Sequence, residues 1–283
     1  MPMNKLTPAK RIQIITLLVE GMSLRSVTRV SGASINTVTK LLIDSGRACS
    51  DYQDRAFRNL TCKRLQVDEI WAFCYAKAKN IATAKSAPEG AGDIWTWTAI
   101  DADTKLIPSF YVGKRDAEAA QHFIADLAMR LSNRVQLTSD GHKPYLQAVE
   151  ESFGADIDYA MLIKHYGEPV GALGRYSPGE CTGIEQRRVE GRPDKAHVST
   201  SYVERANLTM RMGIRRFTRL TNAFSKKAEN HEHMVALHMM YYNFVRIHTT
   251  LRCSPAMAAG VTTKLWEVAD IVKVLEDWEA ARQ

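Results

Sequence analysis

The sequence predicts a mixed α/β protein with an all-helical N-terminal region and C-terminal helices. Three observations predict it. Apolar residues recur at helical spacing through the first 47 residues. From residue 65 the pattern becomes β-rich, with strands and then amphipathic helices in alternation. From residue 230 a long helical pattern returns, NHEHMVALHMMYYNFVRIH. With 283 residues and 45% apolar content, the chain can build a real core and has the length of roughly two domains.

The N-terminal elements are three short helices. LTPAKRIQIITLLVEG sets Ile12, Ile15 and Val19 at helical spacing, with Pro8 in the first turn and Gly21 at the end. Ser23 caps a second helix that buries Leu24, Val27 and Val30. Gly32 makes a turn, and Ser34 caps a third helix that buries Ile35, Val38, Leu41 and Leu42. Its outward face carries Asn36, Thr37, Thr39 and Lys40. Helix, short turn, then a helix with short polar side chains at its start is the helix-turn-helix pattern. Those four residues are therefore candidate DNA contacts. Residues 48–64 read as a linker with a short helical piece.

The β-rich region with its interspersed helices spans 65–227. Strands are predicted over LQVDEIWAFCY, IWTWTAID, KLIPSFYVG (105–113), RVQLTSD and DIDYAMLIK, the second and third joined by a tight DADT turn. Helices are predicted over 116–132 and after residue 142. Three antiparallel strands, then helix, strand, helix, strand and helix, is the order of a ribonuclease H-like mixed sheet with flanking helices. Residues 165–197, rich in Gly, Pro and charge, have no clear period and read as an insertion. Residues 228–283 form the C-terminal helical region.

Charge is placed unevenly. Residues 1–65 carry +7, from eleven Lys/Arg and four Asp/Glu, and residues 205–227 carry +7 with no acid. Two concentrated basic segments favour a polyanion, with double-stranded DNA the first candidate. Five widely spread cysteines argue against a disulfide framework, and no CxxC pair suggests a zinc ribbon. His231, His233 and His238 lack a completing acid or cysteine for zinc. No apolar run approaches the roughly 20 residues that cross a bilayer, and the N-terminus lacks a signal peptide's apolar core. The expectation is a cytoplasmic protein that engages no membrane.

Three acids stand out. Asp68 lies in the first strand, Asp140 at the end of the fourth, and Glu204 on the helix after the fifth. In a ribonuclease H-like layout these positions converge at one edge. Phosphoryl transfer with two hard cations needs such carboxylates. Alternation admits only one of Asp68 and Glu69 to that site and does not choose between them. On a helical wheel Val203, Ala206, Met210, Ile214, Phe217 and Leu220 share one face, and Glu204, Asn207, Arg211 and Arg215 the other. The last three are candidate phosphate contacts.

VDEIWAF, LTSDGHKPYL, STSYVERANLTMRMGIRRFTRLTNAFSKK and ALHMMYYNFVRIHTTLRCSPAMAAG together resemble the DDE transposases of bacterial insertion sequences, IS1-family-like, over nearly the whole chain. The resemblance implies Asp68, Asp140 and Glu204 as a metal-binding catalytic triad, and two Mg²⁺ or Mn²⁺ ions. It implies cleavage at transposon ends, 3′-hydroxyl transfer into target DNA, and a homo-oligomer on paired ends. It implies a cytoplasmic, nucleoid-associated bacterial protein. Some relatives carry an N-terminal zinc motif that is missing here, so end recognition falls to the helix-turn-helix. Two other readings stay open: a catalytically silent, domesticated DNA-binding regulator, and another ribonuclease H-like nuclease such as a junction resolvase.

Overall fold

A computed structural model describes residues 6–167, 179–218 and 221–282. Three helices open the chain: α1 (Pro8–Val19), α2 (Leu24–Ser31) and α3 (Ile35–Ala56). Each starts at a hydroxyl cap. Thr7 accepts from the Lys10 amide, Ser23 from Ser26 and Ser34 from Thr37. Gly32, at φ 72°, ends α2 in the left-handed conformation that favours glycine. Val30 and Ile35, expected in the core, are instead 54% and 41% exposed, at the end of α2 and the start of α3.

The third helix does not stop near residue 47. It runs 22 residues to Ala56, so the stretch read as a linker holds its C-terminal turns. Gly46 makes this possible. A Cβ there would lie 2.5 Å from Cβ and 2.6 Å from Cα of His233 on α7 (Ala228–Met240). The absent side chain lets two helices touch backbone to backbone. Gly46→Ala is therefore expected to cost about 1–3 kcal/mol or more of stability, read as a lower urea midpoint. Arg11 of α1, itself buried, forms a double hydrogen bond to Glu279 of α9 (Val268–Ala280), with both contacts at 3.1 Å. The N-terminal helices thus share a core with the C-terminal ones.

The sheet contains β1 (Arg64–Cys74), β2 (Gly92–Asp101), β3 (Phe110–Gly113), β4 (Gln136–Ser139), β5 (Asp158–Tyr166) and β6 (Cys181–Glu190). Their spatial order is β3-β2-β1-β4-β5-β6. β1 pairs antiparallel with β2 and parallel with β4, and β4 pairs parallel with β5. Two expectations need correction. The third strand is shorter than 105–113, because Asn243 from the C-terminal region takes both backbone groups of Ile107, at 2.9 and 3.0 Å. The stretch 165–197 is not structureless. Its second half holds β6, which extends the sheet antiparallel to β5; residues 168–178 lie outside the described residues.

Helices cover both faces. α4 (Ala117–Arg130) and α5 (Pro144–Phe153) pack on one, where fully buried Trp97 meets Phe123 at 6.0 Å and Tyr145 at 5.5 Å. α6 (Ser201–Gly213) lies on the other, against β1 and β2. The wheel expectation for α6 needs one correction. The apolar face is buried as expected at Val203, Ala206, Met210, Ile214 and Phe217, but the helix ends at Gly213 and the last two sit in a following turn. A Cβ at Gly213 would lie 2.8 Å from the His238 ring of α7. Leu220 lies outside the described residues. Among the described residues, no helix is long and apolar enough to cross a membrane.

Candidate active site

The ladder between β1 and β4 is short. It pairs Arg64–Gln66 with Gln136–Thr138 and stops. Beyond Gln66, β1 has β2 on one side and, among the described residues, no strand partner on the other until Cys74 bridges to Ser225. Asp68 and Glu69 stand on that open stretch, and Asp140 follows the end of β4. One carboxylate oxygen from each of these three lies within 4.8 Å of the others. This overturns the expectation that strand alternation keeps Asp68 and Glu69 out of one site. Their side chains do leave opposite faces, but with no neighbouring strand between them both carboxylates turn into the same gap.

The cluster is electrostatically stressed. Burial, then repulsion from Glu69, Asp140 and Glu204, pushes Asp68 up from 3.8 to about 7. Burial also raises Glu69, whose side chain is only 1% exposed. Arg115 offsets part of this. It donates to Glu69 at 3.1 Å, and its guanidinium lies 3.9 Å from Asp140. The His142 amide donates to Asp140 at 2.9 Å, while the His142 ring packs against Trp97 and Tyr145. Burial, with Arg115 nearby, lowers His142 below its ordinary value.

α6 is pinned over this edge by a residue that sequence reasoning missed. Buried Gln66 accepts the backbone amides of Tyr202 at 2.8 Å and Val203 at 3.2 Å, which are otherwise orphan donors of the first turn. Two residues along β1, Asp68 accepts from Asn207 at 2.8 Å. Asn207 is buried, so its amide serves the carboxylate rather than an open surface. Glu204 sits outside the tight cluster. It accepts from Thr200 at 2.6 Å and forms an ion pair with Lys164 of β5. Burial pulls the Lys164 ammonium down, but Glu204 outweighs it and holds the group above its ordinary value.

Arg211 is half-exposed on α6 two turns after Glu204, and Arg215 is exposed in the turn beyond the helix end. On α3, Asn36 and Lys40 are exposed and Thr37 and Thr39 half-exposed near the start of the helix. The Thr37 hydroxyl is engaged with Ser34 at 2.9 Å, and Lys40 is paired with Asp44. His231 and His238 are fully enclosed. Burial lowers them to about 3 and about 4, so both are neutral core groups.

The signals for Gln66, Glu69, Arg115 and Lys164 were weak in the sequence. Each is a common residue whose role depends on which strand edge it meets.

No protein-family model and no curated protein matches the chain. Among solved structures it is similar to a cryo-EM structure of the piggyBac transposase synaptic complex with hairpin DNA, at 8% identity and a TM-score of 0.43, over 95% of this chain and 69% of that one. It is also similar to the Mos1 transposase paired-end complex with the left transposon end, at 13% identity and a TM-score of 0.25, over 55% of this chain and 59% of that one. A pre-cleavage Mos1 transpososome follows at 11% identity and a TM-score of 0.21, over 55% and 60%.

Proposed function

We propose that this chain is a DDE transposase of the bacterial insertion-sequence, IS1-like kind. It would cut DNA at element ends and transfer the freed 3′-hydroxyls into target DNA, working as a homo-oligomer on paired ends. The observation that carries the reading is the convergence of Asp68 and Asp140 at the open β1 edge, with α6 holding Glu204 and Asn207 above it. The strand order β3-β2-β1-β4-β5 is that of a ribonuclease H-like sheet, and β6 is an addition to it.

The donor set fits hard divalent cations. It consists of carboxylate oxygens of Asp68, Glu69 and Asp140 within 4.8 Å of one another, and burial with this crowding lifts Asp68 to about 7. Asp68, Asp140 and Glu204 would hold two Mg²⁺ or Mn²⁺ ions, which activate the attacking hydroxyl and stabilise the leaving oxygen of a phosphodiester. The chain's own groups do the rest. Asn207 fixes the orientation of Asp68. Arg115 anchors Glu69 and faces Asp140. Lys164 must release Glu204 before that carboxylate can take a ligand role. Arg211 and Arg215 are assigned to phosphates flanking the cut.

The test is strand cleavage and joining on end DNA with Mg²⁺. Metal-dependent production of joined 3′ ends supports the reading. Specific end binding with neither cleavage nor joining would instead establish a regulator, and cleavage of branched DNA alone a resolvase.

End recognition is assigned to the helix-turn-helix of residues 1–47, through Asn36, Thr37, Thr39 and Lys40. Deleting the segment would strip α7 and α9 of buried partners, so point variants are the sounder probe. Asn36→Ala is expected to weaken discrimination at one base pair by about 5- to 150-fold. Lys40→Ala should weaken all sequences alike and reduce the salt slope by about 0.9. Unchanged footprints and slopes in both variants would remove the reader assignment.

A further inference from the structure

The face of β1 that carries Glu69 also carries Trp71 and Phe73, since alternate residues share a face. On β2, Trp97 stands opposite Glu69 and Trp95 opposite Trp71. Trp97 is fully buried under α4 and α5, but Trp95, Trp71 and Phe73 are half-exposed. The helical cover therefore ends between Trp97 and Trp95, and the aromatic face continues into the open. Phe224, from the basic segment after α6, extends it. Trp71 and Phe73 are 5.7 Å apart between ring centres, and Phe73 and Phe224 are 4.7 Å apart.

Cations alternate with these rings. Arg115 lies 4.9 Å over Trp95, Lys77 lies 5.5 Å over Trp71, and Lys226 lies 3.8 Å over Phe224. Lys77 and Lys226 are exposed and form no ion pair among the described residues. Arg115 also binds Glu69, so the strip begins at the acid cluster and leads away from it. From Glu69 to Phe73 the strand advances about 13 Å, room for about two to four nucleotides.

We propose that this strip is a binding track for unpaired nucleotides of a DNA strand, with bases stacked on Trp95, Trp71, Phe73 and Phe224 and phosphates held by Lys77 and Lys226. Half-exposed rings interleaved with the exposed Lys77 and Lys226 match a ligand that alternates flat apolar faces with negative charge, provided that the cations move from the rings to its phosphates. Paired bases keep their faces inside the stack, so a duplex cannot use the rings, and a strand opened or freed beside the acids can. The inference rests on the reading of those acids as a DNA-cutting site.

The test follows the tryptophan fluorescence of the full chain, without divalent metal, during titration with a short oligothymidine and with a duplex of equal length. The single strand is expected to quench fluorescence and to bind. Trp71→Ala and Phe224→Ala should each weaken single-strand binding by on the order of tenfold, leaving the duplex affinity unchanged. Replacing Lys77 and Lys226 together by Ala should reduce the single-strand salt slope by about 1.4. Phe224→Leu keeps apolar bulk and guards against misfolding. Lost single-strand affinity at an unchanged Tm supports the track, and retained affinity overturns it. Absence of single-strand binding by the wild type also overturns it. Cleavage of end DNA together with ring-independent strand binding would sink the track alone. Ring-dependent strand binding without any cleavage would sink the transposase reading and leave the track standing.

Discussion

Glu204→Gln is expected to lower metal-dependent strand cleavage by more than the roughly 10- to 100-fold that loss of an outer metal partner costs, while DNA binding stays intact. Glu69→Gln is the informative comparison. Both glutamates are near Asp68, and both contribute to its repulsion. Glu69 lies within 4.8 Å of Asp68 and Asp140, whereas Glu204 is tied to Lys164 and Thr200. Geometry as it stands favours Glu69. Exposure favours Glu204, because the Glu69 side chain is 1% exposed and anchored by Arg115, while the Glu204 side chain is 45% exposed and its partner Lys164 lies at the surface of the same opening. Glu69→Gln should therefore leave most cleavage intact and weaken the hold on Arg115. Lys164→Met should release Glu204 and tighten Mn²⁺ binding, measured by calorimetry. If Glu204→Gln cleaves normally and Glu69→Gln neither binds Mn²⁺ nor cleaves, the third ligand is Glu69.

The second large effect is on stability. Asp68 carries a folded-state value of about 7 against an ordinary 3.8. A raised carboxyl favours folding while it is protonated. Its contribution is complete below about pH 4 and is lost as pH rises through 7. The loss is on the order of 2–4 kcal/mol, several degrees of Tm for a chain this long. Metal-free protein should thus melt lower at pH 8 than at pH 5. Asp68→Asn should flatten that dependence and raise the Tm at pH 8. Mg²⁺ or Mn²⁺ should stabilise the wild type more at pH 8 than at pH 5, because binding favours the ionised acid. Equal pH profiles for wild type and Asp68→Asn would show that burial and the neighbouring acids do not raise Asp68 as the geometry implies.

Much of the local structure was legible in the sequence. Ser23, Ser34 and Gly32 mark helix ends because capping is a short-range effect, settled by three or four neighbouring residues. The apolar stripe from Val203 to Phe217 is buried as its spacing predicts. Reading failed where a distant partner changed the local outcome. The segment 105–109 falls outside β3: Leu106 and Ser109 still accept from the β2 amides of Asp101 and Ala99, but Asn243 of the C-terminal region takes both backbone groups of Ile107. β6 is exposed along nearly its whole length, so its residues carry no alternation of apolar and polar by which a strand is recognised. Helix α3 continues past residue 47, and its packing on α7 at Gly46 depends on His233, far along the chain.

The candidate site divides in the same way. By itself the sequence determined most of the element types, the helix caps at Ser23 and Ser34, the basic segments and the positions of Asp68, Asp140 and Glu204 along the chain. Those properties depend on spacing and local chemistry. Only the tertiary structure decided that the β1–β4 ladder stops at Gln66, that Glu69 joins Asp68 and Asp140 in the gap beyond it, and that Glu204 is held by Lys164. Which carboxylates meet is set by where one strand loses its neighbour and by which cation lies across the opening. Neither is a property of any short stretch of sequence.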